Sequence, residues 1–453
     1  VLGRTGFKVY SKRILDKVAA LGAKVDYDTM TARFPRELIE EIVDCELRPE
    51  QPDKPISVSK EFHASFGEVC FFLYDWEKQE RRTATREETI QFIRLGDALS
   101  GVGAISPPAV NSDIDPLIEA IEAPELLIAN TNKPAGGGIR SPEQVKYIHE
   151  IRMLSEKHGD PRRWVQTGGC LTSPLALGER SAQIVEVLMD LGYDDFAFSS
   201  MPIAGGNAPV TTAGCIVICI AELLGARLVA RAINPKANGV GMLISGTMDM
   251  THGNPSFCSP QAVTQDIVTW RVFNRLYGLD IPLDRGGSYI NAKLPGLQCA
   301  YERTFKQSML AVGTGALGMH AGSLDGAAIF SPEQAMIDLD LSRGQWDFYR
   351  GIEISDETLA LDEIDQVGIG ESGSYLNTDH TFRHFRKALW MPKLLDVSMW
   401  HDGEETGREQ RMLEEANKQW KECLANRQAP KINEALLGEV HEVVERAKRE
   451  IGN

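Results

Sequence analysis

The chain has 453 residues, 43 % hydrophobic and 25 % charged, an ordinary composition for a folded protein. Its formal charge of −16 excludes the basic footprint of a nucleic-acid binder and disfavours an anionic membrane surface. The longest apolar stretch, Cys215 to Leu224, is too short to cross a bilayer and contains Glu222, so no membrane partner is expected. None of the eight cysteines forms a CxxC pair, and Cys215 and Cys219 read as small core residues. That usage predicts a reduced, cytoplasmic setting. The chain begins at Val1 rather than Met, which leaves a removed leader open.

In chain order, Ser11 to Leu21 and Pro35 to Cys45 read as amphipathic helices, one stopped by Gly22, the other opened by proline. After a charged, proline-containing linker, the burst from Val69 to Tyr74 predicts a hairpin strand. Residues 1–85 are therefore expected to form an N-terminal helical and hairpin extension.

From residue 86 the rhythm is strand, small-residue turn, helix. Apolar runs at 98–105, 126–129, 164–165, 195–198, 240–244 and 279–283 each break into turn residues, and a seventh ends on His320. Ser141-Pro142, Ser259-Pro260 and Ser331-Pro332 are good helix starts. Seven such units predict a parallel (β/α)8 barrel over 86–400, with an open doubly wound sheet as the alternative. The eighth strand falls either between Asp362 and Leu376 or outside this count. The charged tail 401–453 reads as helical, with a solvated or subunit-facing surface that leaves a homo-oligomer open.

Two G-x-G-x-x-G matches, at Gly313 and Gly368, lack the preceding strand and following helix that dinucleotide binding requires. No HExxH or CxxC spacing marks a metal site, and the His380/His384 segment reads as a structural helix packing on the barrel. There is no D-x-H-x-x-G sequence, so a cobalamin would have to be carried by another chain. The better candidates stand just after apolar strands: Asn130, Gln166, Asp249, Arg285, His320 and Asp325. Any one of them alone reads more readily as a loop cap or a satisfied core polar group, and it is their spread over separate units that points to one pocket. Arg285 suits a carboxylate, or else pairs with Asp284. Tyr74, Trp76, Phe198, Phe257 and Tyr289 are candidate walls of a cage for a cation, each with core packing as its plainer reading. Gly136 to Gly138, Gly205 and Gly206 permit close backbone approach by a large partner, or simply make turns.

Gly246-Thr247-Met248-Asp249-Met250, Pro202 to Thr211, His320 to Asp325, and Asp379-His380-Thr381 through Asp396 together resemble the trimethylamine methyltransferase family. The likeness spans essentially the whole chain. It implies a (β/α)8 barrel that moves a methyl group from a methylated amine to the Co(I) of a corrinoid (cobalamin) carried by a cognate partner protein. Founding members of the family use pyrrolysine. This sequence holds only standard residues, which resembles the group acting on quaternary amines, glycine betaine first, with proline betaine, carnitine or a methylamine as alternatives. Under that expectation the candidates read from the strand ends, aromatics and glycines take roles: His320 catalytic; Asn130, Gln166, Asp249, Arg285, Tyr74 and Phe198 at the substrate; and Gly205, Gly206 and Gly322 facing the corrinoid. Demethylating a quaternary nitrogen releases a neutral amine, so no general acid is needed and the protein's task is orientation and desolvation.

Three rivals remain. A Schiff-base lyase needs a desolvated lysine, and only Lys133 and Lys236 lie near strand ends. A non-catalytic betaine-binding protein would bind without methyl transfer. A zinc-dependent thiol methyltransferase lacks a clear Cys/His set.

Overall fold

The computed structural model describes residues 1–43, 56–370, 373–400 and 407–452, and its architecture is mixed α/β. The first predicted helix is Lys12–Ala20, opened by the Ser11 side chain accepting from the Ile14 N–H. The second is Arg36–Val43; positions 44 and 45 of its predicted span, and much of the linker, lie outside the described residues. A four-stranded sheet binds this region to the body, because Phe7–Val9 pairs in parallel with Ala176–Leu177. The predicted hairpin is present as Phe72–Asp75 against Glu80–Arg82, and it continues the sheet to Ile329–Phe330.

Eight parallel segments, most of them followed by a helix, can be traced by their pairing. One arc runs from His320–Ala321 to Ala64–Phe66 to Val102–Ile105, with Ile105 bridging Ala135. The other runs from Gly168–Cys170 to Ala197–Ser200 to Gly239–Leu243, with Leu243 bridging Leu283. Among the described residues no ladder joins 135 to 168 or 283 to 320, so the hydrogen-bonded sheets are arcs and not a continuous closed barrel. At the second junction the backbones still touch. A Cβ on Gly318 would fall 2.6 Å from the Arg285 Cβ, and one on Gly286 would fall 2.9 Å from the His320 Cβ.

Three expectations are corrected. The run Leu126 to Ala129 is not a strand but the last turn of the helix Pro116–Asn130, capped by Asp115 with Pro116 at its first position. This helix is buried on nearly every side, so its apolar run carries no period that separates helix from strand. Between Asp362 and Leu376 no described residue is in a strand, and Leu361–Val367 is helical. Two segments are missing from the count: Ala64–Phe66, within the N-terminal stretch, and the single bridging residue Ala135.

Among the described residues one helix, Thr212–Ile233, is long and apolar enough to cross a membrane, but two-thirds of its most apolar window is buried inside the protein. Its Glu222 is fully buried and partnered, accepting from Ser173 Oγ, Ser200 Oγ and the Leu175 N–H.

Candidate active site

The strands send large side chains outward and small ones inward. Phe66 packs on Phe330 at 5.4 Å, and Ser200 bonds Glu222 on the covering helix. By alternation, Ser65 and Ser199 face the other way, together with their register partners Ala104, His320 and Cys170. An inner face of serine, alanine and cysteine leaves room where bulkier residues would fill it. A cleft of about 550 Å³ opens there, lined by Cys170, Ala197, Ser199, Gln166, Arg140, Arg180 and Phe71 among others.

His320 is fully buried, with Nδ1 3.1 Å from Ser65 Oγ. Ser65 donates its own proton to the Met319 carbonyl, so the network assigns the imidazole proton to Nδ1. Nε2 has no hydrogen-bond partner among the described residues. Burial, reinforced by the Arg303 guanidinium and opposed by Asp284, lowers the His320 pKa to about 3, so the ring is neutral at working pH. Glu68 Oε2 lies 3.8 Å away. Burial and the neighbouring Asp284 charge, against Arg303, raise the Glu68 carboxyl to about 7. Its side chain is 35 % accessible.

Two buried ion pairs brace this mouth. Arg303 Nε meets Asp338 at 2.8 Å while its Nη atoms donate to the Gly287 and Ser323 carbonyls, linking the loops that follow Leu283 and Ala321. Lys306 Nζ meets Asp284 at 2.7 Å. Burial pushes the Asp284 carboxyl up, but Lys306 and the N–H groups of Ser288 and Tyr289 outweigh that and hold it below the ordinary range. Those same bonds shape the loop that presents Tyr289. Tyr289 stands edge-on to Phe257, with ring centroids 5.4 Å apart, beside Met201 and Met248. Burial, then the Glu68 charge, raises the Tyr289 phenol.

The sequence candidates divide accordingly. His320, Phe257 and Tyr289 stand at the mouth, and Gln166 lines the cleft, although it precedes its strand instead of ending it. Asn130 closes a helix and is held by Arg94 and the Leu126 carbonyl. Arg285 is committed to Asp280 at 2.8 Å and Thr314 at 3.2 Å, not to Asp284. Asp249 is on an exposed hairpin, where its carboxylate meets His252 Nδ1 at 2.6 Å. Gly205 and Gly206 turn beside that hairpin, against Met248. Phe198 is in the outer core, stacked near Phe196; Tyr74 bonds Gln79 within its hairpin, and Trp76 packs partly buried nearby. Asp325 pairs with Lys293, and Lys133 is spent on the Gly96 and Leu99 carbonyls. Gly322 packs flat on Phe330: at φ +97°, a Cβ there would meet the ring at 2.4 Å. Gly322→Ala is expected to destabilise the fold by about 1–3 kcal/mol through overpacking and backbone strain, read as a lower urea midpoint. Arg285→Ala, by contrast, is expected to leave KM for the substrate within about twofold, because the guanidinium is already paired; a larger rise in steady-state assays would return it to the site.

Glu68 and Ser65 were missed. Their signal was present: Ala64-Ser65-Phe66 runs into Gly67, the same apolar segment and glycine break that marked the other strands. No group of three or more His, Cys, Asp or Glu among the described residues is arranged to hold a metal ion.

A cleft of small residues beside buried titratable groups suits an enzyme, and comparison with known proteins makes this chain a methyltransferase. A model of the trimethylamine methyltransferase (MTTB) family matches residues 1–452, and the chain belongs to that family. Trimethylamine methyltransferase MttB of Desulfitobacterium hafniense is 25 % identical over 467 residues, spanning all of this chain and 91 % of that protein. MttB of Methanosarcina barkeri (strain Fusaro) is 28 % identical over 451 residues, spanning 94 % of this chain and 88 % of that one. A glycine betaine methyltransferase of Desulfitobacterium hafniense (strain Y51) is 25 % identical over 392 residues, spanning 84 % and 79 %.

Proposed function

We propose that this enzyme moves a methyl group from a quaternary amine, glycine betaine first, to the Co(I) of a corrinoid held by a separate cytoplasmic protein, releasing dimethylglycine. The reading includes the fold: the two arcs enclose one lumen as a (β/α)8 barrel, with Ala64–Phe66 as the strand beyond the 86–400 span. Contact of Gly318 and Gly286 with the opposite arc supports closure on that side. An N-terminal extension and a helical tail after 400 flank the barrel.

The observation that carries the substrate class is the grouping of Glu68 with the Tyr289–Phe257 pair over a lumen of small side chains. A quaternary ammonium offers no N–H, so it is held by ring faces and by charge. Glu68, at about 7, is partly ionised near neutrality and supplies attraction without a full ion pair. That moderation suits the chemistry, because the substrate's positive charge disappears in the transition state and tight ground-state pairing slows the step. Arg180, exposed on the cleft wall without an ion-pair partner among the described residues, together with Gln166, would receive a carboxylate. These donors favour a betaine over trimethylamine. His320, neutral, orients through Ser65 and carries no charge to compete with the ammonium. Gly205, Gly206 and the Asp249 hairpin stand where the corrinoid partner would approach. When bound, the corrinoid supplies the nucleophile; the chain's residues orient one methyl and exclude water.

The test is a panel of glycine betaine, proline betaine, carnitine and trimethylamine incubated with reduced cobalamin, following methylcobalamin by absorbance. Glycine betaine turning over fastest supports the reading. Trimethylamine alone as substrate would overturn the betaine assignment, and binding without any methylcobalamin would overturn the reaction.

A further inference from the structure

Between the helices Pro332–Tyr349 and Arg408–Ala425 the chain leaves the body and returns. The base of this excursion is tied down. Trp390 lies against Gly344, the Asp340 carboxylate accepts from the Lys393 and Leu394 N–H groups at 3.0 Å, and Arg350 donates to the Lys387 carbonyl at 3.0 Å. Its three helices, Asp356–Leu359, Leu361–Val367 and Asp379–Ala388, bury no residue. The expectation that the His380/His384 helix packs on the body is thereby corrected; both rings instead turn to Glu357.

About half of the large apolar side chains exposed on the described residues fall between 348 and 400, a small fraction of the chain. Ile352 is 86 % exposed, Ile369 fully so and Phe382 75 %. Helices this short do not hold in water by themselves, so their apolar sides call for a covering surface. Exposure concentrated on this scale in one segment marks an interaction site rather than ordinary surface scatter.

We propose that this excursion is the contact face between two copies of this chain. The apolar area on offer is on the order of 1,500 Å², above the roughly 800 Å² per partner of a standard stable interface. Its density of Ile, Leu, Phe, Trp and Met is that of a permanent subunit contact; a partner that comes and goes meets a more polar surface. The proposal stands independently of the methyl-transfer reading.

Sedimentation of the full chain tests it. The wild type is expected at twice its 50.0 kDa mass, and Ile369→Glu with Phe382→Glu at the monomer mass with an unchanged circular dichroism spectrum. A monomeric wild type, including one that recruits only a corrinoid protein, overturns the proposal. So does a double-glutamate variant that keeps the wild-type mass.

Discussion

Arg303→Met is expected to destabilise the protein by about 3–5 kcal/mol and to abolish turnover under conditions where the wild type is active. The guanidinium is fully buried, and its removal leaves the Asp338 carboxylate uncompensated in the interior. Two backbone carbonyls, of Gly287 and Ser323, lose their donor at the same time, and these belong to the two loops that frame His320 and Tyr289. Burial already raises Asp338 above the ordinary carboxylate range despite the Arg303 charge, so the carboxylate depends on that guanidinium for its compensation. Urea denaturation reads the loss. A second substitution, Asp338→Leu, is expected to recover part of it, because most of the penalty is the orphaned charge and not the missing attraction. A single variant unfolding at the wild-type midpoint would show that the pair is not structural.

Glu68→Gln is expected to raise KM for a cationic substrate about tenfold while changing kcat little. At an effective dielectric of 20, two unit charges 6 Å apart attract by about 3 kcal/mol; halving this for the water that reaches a side chain one-third accessible leaves about 1.4, or tenfold. The effect belongs to KM because the ammonium charge is present in the bound substrate and fading at the transition state.

The pH dependence has a definite sign. Free Glu68 is held near 7, and a bound cation favours its ionised form, which lowers the pKa in the complex by about one unit for a tenfold coupling. Affinity is therefore expected to rise as pH increases from about 6 to 7.5 and then level, with a proton released on binding in that window. The glutamine variant is expected to show a flat profile. His320 does not contribute to this window, because its own titration lies near 3. A wild-type KM that falls with acidification would reverse the assignment of Glu68.

Most of the parallel strand ends and the hairpin at Phe72 were legible in the sequence because each is a short apolar run that breaks into polar or turn-forming residues. Leu126 to Ala129 misled because a helix buried all round shows the same run. Arg285 misled for another reason: a residue following a strand can point back along it, here to Asp280, and spacing says nothing of that direction. The ion pairs Arg303–Asp338 and Lys306–Asp284 were illegible, since both cations sit mid-helix in the sequence, where charge ordinarily reads as solvated face. Glu68 was hidden by its place in a stretch taken for an extension.

Ser65 and His320 stand 255 positions apart yet lie side by side as neighbouring strands. During synthesis, the early segment must therefore wait for most of the polypeptide to emerge before its edge finds a partner. Its outward Phe66 ring has no Phe330 to rest on until then. Until then the nascent chain carries that strand as a sticky, unfinished seam, and refolding of this protein should be slow and prone to precipitation at high concentration unless a chaperone shields that edge.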